Sequence, residues 1–147
     1  MSKPVFILNG PNLNLLGERE PHIYGTTTLA QIEQCCKAKA ETLGLGIVFR
    51  QSNLEGELID WLHEARKLAS GIVINPAGYS FTSVALLDAL KASGLPIMEV
   101  HISNIHQREA IYHHSLVSKA ATGVICGLGP LGYELALQAL AARLLSA

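Results

Sequence analysis

The sequence predicts one α/β domain built on a parallel five-stranded sheet with helices on both faces. Three observations predict it. Five short aliphatic runs alternate with amphipathic stretches, each run is bounded by Gly, Pro or Asn, and the connections are mostly short. The chain of 147 residues is the size of a single domain, 1–147, with no repeats, linkers or low-complexity segments.

The first strand is expected at 5–8 and the second at 46–50, with the third at 71–75, the fourth at 96–101 and the fifth at 123–126. Between the first two, Thr28 caps a helix whose apolar face is Leu29, Ile32, Cys36, Ala40 and Leu43, stopped by Gly44. Leu58, Leu62, Ala65 and Ala69 mark a second helix ended by Gly71. Val84, Leu87 and Leu90 mark a third, ended by Gly94 and Pro96. A shorter helical segment is expected near 107–114. The last helix, about 131–145, is Ala- and Leu-rich nearly all round, so the sheet or another subunit must cover it. Strict β–α alternation with five strands gives the order 2-1-3-4-5, the flavodoxin-like arrangement.

Composition excludes several functions. Charged residues are 16% of the chain against 49% hydrophobic, where an average soluble domain carries roughly 25% charged. A disordered chain, a nucleic-acid arm and an acidic tail all need more charge than that. Eleven Lys and Arg against twelve Asp and Glu leave a net charge of −1, so no global field recruits nucleic acid or an anionic membrane. The low charge count and a mean hydropathy of +0.29 point to a surface partly covered by other subunits. The apolar run at 5–8 is too short for a signal-peptide core, and no stretch approaches the ~20 apolar residues of a membrane span. Cys35 and Cys36 are adjacent and Cys126 stands alone. Without a C-x-x-C pair they read as reduced thiols of a cytoplasmic protein.

Ligands of open parallel sheets bind beyond the carboxyl ends of the strands, so the polar residues there carry the functional reading. The connection after the first strand runs from Gly10 to beyond Gly25, about eighteen residues where two to six are usual. The other strands end in Gln51-Ser52-Asn53, Asn75-Pro76-Ala77-Gly78, Glu99-Val100-His101 and Gly127-Leu128-Gly129-Pro130. Ordinary turn chemistry accounts for the glycines, but not for Glu99 and His101. Residues two apart on a strand share a face, so this carboxylate and imidazole are neighbours. A carboxylate fixes the tautomer of the histidine and favours its charged form, which suits a general acid. Tyr24 is a candidate base only if positive charge stabilises its phenolate, and Arg19 and Arg108 are the residues that could supply it.

Two motifs are set aside. Gly127-Leu128-Gly129-Pro130-Leu131-Gly132 matches G-x-G-x-x-G, but the fifteen residues after it leave no room for the next strand and its ribose-binding acid. It is expected to be a tight turn with close packing. His101, His106, His113 and His114 fit no metal-ligand spacing, so no metal is expected.

The chain resembles the type II 3-dehydroquinate dehydratases over essentially its whole length. The resemblance is carried by Asn9-Gly10-Pro11-Asn12-Leu13-Asn14-Leu15-Leu16-Gly17, Arg19-Glu20-Pro21, Tyr24-Gly25, Gln51-Ser52-Asn53-Leu54-Glu55-Gly56 and Asn75-Pro76-Ala77. It continues in Thr82-Ser83-Val84-Ala85, Glu99-Val100-His101-Ile102-Ser103-Asn104-Ile105-His106 and Gly123-Val124-Ile125-Cys126-Gly127. It implies removal of water from 3-dehydroquinate, without cofactor or metal, in the shikimate or quinate pathway. Tyr24 would be the proton acceptor and His101, oriented by Glu99, the proton donor. Arg19 on a lid loop and Arg108 would stabilise the phenolate, and Asn12 would hold a water on the enolate oxygen. Asn75 and the backbone amides of Ile102 and Ser103 would grip the substrate carboxylate. Asp88 would reach a neighbouring subunit in a dodecamer built from trimers.

Two positions depart from the family pattern. Phe81 stands where the family usually has His, and Tyr112 where it usually has Arg, both of which bind ring hydroxyls in the family. Three functions are therefore weighed: a 3-dehydroquinate dehydratase, a dehydratase of the same mechanism for a related cyclic hydroxy-ketone acid, and a non-catalytic oligomer that binds a shikimate-like ligand. Retention of Arg19, Tyr24, Glu99 and His101 favours the enzyme.

Overall fold

The computed structural model describes residues 2–146. Its parallel strands are β1 (Val5–Asn9), β2 (Ile47–Gln51), β3 (Gly71–Asn75), β4 (Ile97–His101) and β5 (Gly123–Cys126). They lie in the order β2-β1-β3-β4-β5, as expected. The helices are α1 (Pro21–Tyr24), a single turn inside the long connection after β1, then α2 (Leu29–Leu43), α3 (Glu55–Leu68), α4 (Val84–Ser93) and α5 (Leu131–Leu145). No helix among the described residues is long and apolar enough to cross a membrane.

Helix ends follow local chemistry. Thr28 Oγ1 accepts from Gln31 N at 3.2 Å and Gln31 Oε1 accepts from Thr28 N at 2.9 Å, a reciprocal cap on α2. Ser83 Oγ accepts from Leu86 N at 2.9 Å and starts α4. Gly44 and Gly94, with φ of +71° and +66°, end α2 and α4 in the left-handed region that only glycine enters cheaply.

Alternating strand residues feed two cores. Val5, Ile7, Val73, Met98 and Val100 pack on α2 and α5, whereas Phe6, Leu8, Ile72, Ile74 and Ile97 pack on α3 and α4. The β1 register sets Asn9 level with Gln51 on one side and Asn75 on the other, so polar strand ends share one edge. Glycines tighten that edge. An added Cβ at Gly10 would lie 2.4 Å from the Pro76 carbonyl oxygen, which locks the loops after β1 and β3 together. At Gly127 it would lie 3.0 Å from the Asn104 Cβ, and at Gly132 3.3 Å from Val100, so the G-x-G-x-x-G segment is the tight, closely packed turn the sequence predicts.

One expectation needs correction. The segment expected to be helical near 107–114 forms successive 3-10 turns, Ile105–Gln107 and Ala110–Tyr112, because Arg108 and Glu109 between them are extended (ψ of −176° and 154°). Within the single chain, helix α5 is covered on the side that meets the sheet. It buries Tyr133, Ala136, Leu137, Leu140 and Ala141 along one face, while Leu131 and Leu145 are 52% and 81% exposed.

Candidate active site

The loops after β1, β2 and β3 form one rim. Asn12, with φ of +69°, turns its backbone N–H to donate to Asn53 Oδ1 at 3.0 Å, and the Tyr79 hydroxyl donates to the Asn53 carbonyl at 2.7 Å. Gln51 Nε2 donates to the Gly10 carbonyl at 3.1 Å. Ala77, with φ of +53°, holds a conformation costly for a residue with a side chain, at the mouth of the cleft.

Beneath the rim lies a cleft of about 220 Å³, below the usual range for drug-sized ligands and suited to a small metabolite. The structure brings Asn12, Arg19, Tyr24, Asn75, His101, Ile102, Ser103 and Arg108 to its walls. Glu99 lies behind His101, fully buried. Asp88 is exposed on α4 and does not line this cleft within its own chain.

His101 and Glu99 occupy the same face of β4, as their spacing predicts, and the His101 Nε2–H donates to Glu99 Oε2. Ser118, in the turn Val117–Lys119, donates to Glu99 Oε1 at 2.6 Å. Burial alone would push the Glu99 carboxyl up. The hydrogen bond and charge of His101 outweigh it, with help from Ser118 and the nearby Ser115 hydroxyl, and hold the group below the usual carboxylate range. Glu99 is therefore an acceptor, so Nε2 carries a proton toward it, and a proton that His101 gives up must come from Nδ1 of the doubly protonated ring. Ser118 has no signature in the sequence, since only folding brings it to Glu99 seventeen residues after His101.

Tyr24 is the last residue of α1. Arg108 Nη1 donates to its hydroxyl at 3.0 Å, and the Arg19 guanidinium sits 5.0 Å from its ring centroid. Arg19 also pairs with Glu20 at 3.2 Å. The Arg108 backbone is pinned in turn by His113, whose Nε2 lies 2.5 Å from the Arg108 carbonyl oxygen.

Asn75 carries a second, unforeseen tie. Its Nδ2 donates to the Tyr133 hydroxyl at 2.9 Å, and Tyr133 donates to Asn9 Oδ1 at 2.7 Å. Its Oδ1 accepts from Ala77 N at 3.2 Å. One N–H of the Asn75 amide is thereby committed to the core, and the other is left for a ligand.

Fold and cleft first define a class: a flavodoxin-like α/β protein with acid–base side chains gathered at the carboxyl edge of its sheet. Residues 3–141 match the family model for dehydroquinase class II. The chain is 61% identical to the 3-dehydroquinate dehydratase of Chelativorans sp. (strain BNC1), over 98% of this chain and all of that one. It is 60% identical to the 3-dehydroquinate dehydratase 2 of Pseudomonas aeruginosa, over 97% of both chains. The crystal structure of the type II dehydroquinase from Propionibacterium acnes superimposes with a TM-score of 0.93 at 48% identity, over 97% of this chain and 98% of that one. The chain belongs to the dehydroquinase class II family.

Proposed function

We propose that the cleft removes water from 3-dehydroquinate to give 3-dehydroshikimate, as a hydro-lyase of the shikimate or quinate pathway acting without cofactor or metal. The observation that carries this reading is that His101, held by Glu99, and Tyr24, held by Arg108, line one small cleft. The relatives named above are dehydroquinate dehydratases, which supports the same substrate.

The proposed mechanism separates base from acid. Tyr24, as a phenolate stabilised by Arg108 and Arg19, takes the proton from the carbon between the ketone and the hydroxyl-bearing carbon. The electrons pass to the ketone oxygen as an enolate, where Asn12 supports a bound water. The enolate then expels the hydroxyl as water, with the proton supplied by His101 through Nδ1 while Glu99 steadies the ring. Asn75, through its free N–H, and the amides of Ile102 and Ser103 grip the carboxylate. Both proton movements involve side chains already in the cleft.

The chain is further proposed to be a cytoplasmic homo-oligomer, a dodecamer of trimers in which Asp88 meets a neighbour's site. Exposed Val124, Leu128 and Leu131 around the edge strand β5 support subunit contact. Steady-state kinetics on 3-dehydroquinate, following the conjugated enone by ultraviolet absorbance, test the activity. A folded protein without turnover would overturn it.

A further inference from the structure

The cleft has two unlike walls. The acid, the base and the carboxylate-binding groups are polar, but two aromatic rings span the gap between acid and base. Phe81 stacks on His101 with ring centroids 6.1 Å apart and planes at 30°. Tyr112 meets Phe81 edge-on at 5.3 Å and 81°. The guanidinium of Arg108 lies 3.9 Å from the centroid of Tyr112 while its Nη1 reaches Tyr24. His101, Phe81, Tyr112, Arg108 and Tyr24 thus form one continuous chain of contacts around the cleft.

A substrate ring whose reacting carbons lie between His101 and Tyr24 must turn part of its edge toward Phe81 and Tyr112, which line the same cleft. Phe81 has no donor or acceptor to offer it. Tyr112 gives its face to Arg108, whose Nη1 donates to the Tyr24 oxygen, so the Tyr112 hydroxyl is the polar group that this aromatic pair retains. A ring hydroxyl turned toward Phe81 therefore exchanges water for aromatic surface. A pocket that hydrogen-bonds a hydroxyl rejects the analogue lacking it by about 10⁴-fold or more, whereas an apolar pocket rejects an added hydroxyl only weakly, by about 10²-fold. The second case describes this wall, so a hydroxylated substrate is tolerated without being required.

We propose that Phe81 and Tyr112 are specificity-determining residues that widen the substrate class to cyclic β-hydroxy-ketone carboxylates lacking the ring hydroxyls remote from the reacting carbons. This rests on the reaction proposed above. For 1-hydroxy-3-oxocyclohexane-1-carboxylate the step is the same. The C2–H bond breaks and its proton goes to the Tyr24 oxygen. The C1–O bond breaks as the leaving hydroxyl takes a proton from His101, and C1=C2 forms. The products are 3-oxocyclohex-1-ene-1-carboxylate and water.

The test compares kcat/KM of the full-length protein on 3-dehydroquinate and on 1-hydroxy-3-oxocyclohexane-1-carboxylate, both followed by enone absorbance. The expected result is a kcat/KM for the deoxygenated compound within about a hundredfold of that for 3-dehydroquinate, or above it. A ratio below a hundredth, with 3-dehydroquinate turned over, overturns this inference and leaves the proposed function standing. Turnover of neither compound overturns both. The combined substitution Phe81→His and Tyr112→Arg, checked for fold by circular dichroism, is expected to shift selectivity toward 3-dehydroquinate by at least tenfold. Unchanged selectivity in that folded variant would also overturn the assignment of these two residues.

Discussion

Two buried polar networks sit on opposite faces of the same sheet edge, and they have opposite characters. On the α5 face, Tyr133 links Asn9 and Asn75, and Asn9 Nδ2 donates onward to the Arg50 carbonyl at 3.0 Å. This network is neutral, and its one outlet to the cleft is the second N–H of Asn75. Complete burial pushes the Tyr133 phenol well above its ordinary range, so it stays protonated and donates. On the face shared by α3 and α4, Glu99 is joined by His101 and Ser118, and His101 opens onto the cleft. This network holds charge. Helix α5 begins at Leu131, close over the sheet, where Gly132 lets it approach Val100. On the other face α4 begins only after the turn Ala77–Phe81, so an aromatic ring and a cleft occupy the space above His101. The neutral network, centred on a phenol sealed in the core, ties strands together, whereas the charged network presents a titratable ring to the cleft.

The largest expected effect breaks the open side at its base. Tyr24→Phe keeps the ring but removes the oxygen that the proposed mechanism assigns as proton acceptor, and kcat is expected to fall by about 10²- to 10⁴-fold with the circular dichroism spectrum unchanged. Retained turnover would remove Tyr24 from the mechanism.

Glu99→Gln comes next, with kcat expected to fall by about 10²-fold as the histidine loses its charged partner. It also has a signature in stability. The Glu99 carboxyl is held below its usual range in the folded chain, so the native state favours the ionised form. The stability it confers is complete above the unfolded carboxyl's pKa of about 4.3 and is lost as pH falls through the lower folded value. Urea midpoints measured from neutral pH into that acid range should decline less steeply in Glu99→Gln than in the parent. Parallel declines would show that the charge is not linked to folding.

Tyr133→Phe breaks the neutral network. It leaves the amides of Asn9 and Asn75 short of a partner, at a cost of about 1–3 kcal/mol in urea denaturation. Any kinetic change should appear in KM, because the proposed mechanism assigns Asn75 to the substrate carboxylate and not to the moving protons. A drop confined to kcat would contradict that placement.

The smallest effect is expected outside both networks. Thr28→Ala removes the cap of α2 and should cost about 1 kcal/mol, with kcat and KM altered by less than about threefold. A larger kinetic effect would mean that the stability of α2 governs the loop bearing Tyr24.

Much of this was legible before folding. Thr28 and Gly44 bound α2 because capping is a local backbone requirement, and β3 and β5 have the expected limits because aliphatic runs between turn residues can only be short strands. The pairing of Glu99 with His101 was readable because strand geometry alone puts alternate residues on one face. The segment near 107–114 was misread as helical because its pattern of apolar residues does not reveal the extended backbone at Arg108 and Glu109.

The sequence by itself determined the alternation of strands and helices, the edge at which polar residues collect and the family to which the chain belongs, because each is written in local periodicity or in contiguous motifs. Tertiary structure alone decided which distant residues meet. Ser118 reaches Glu99, Tyr133 bridges Asn9 and Asn75, and Phe81, Tyr112 and Arg108 close into one wall between His101 and Tyr24. These contacts depend on how closely each helix approaches the sheet and on which way each loop turns. Both are set by packing among residues far apart in the chain, which no local pattern encodes.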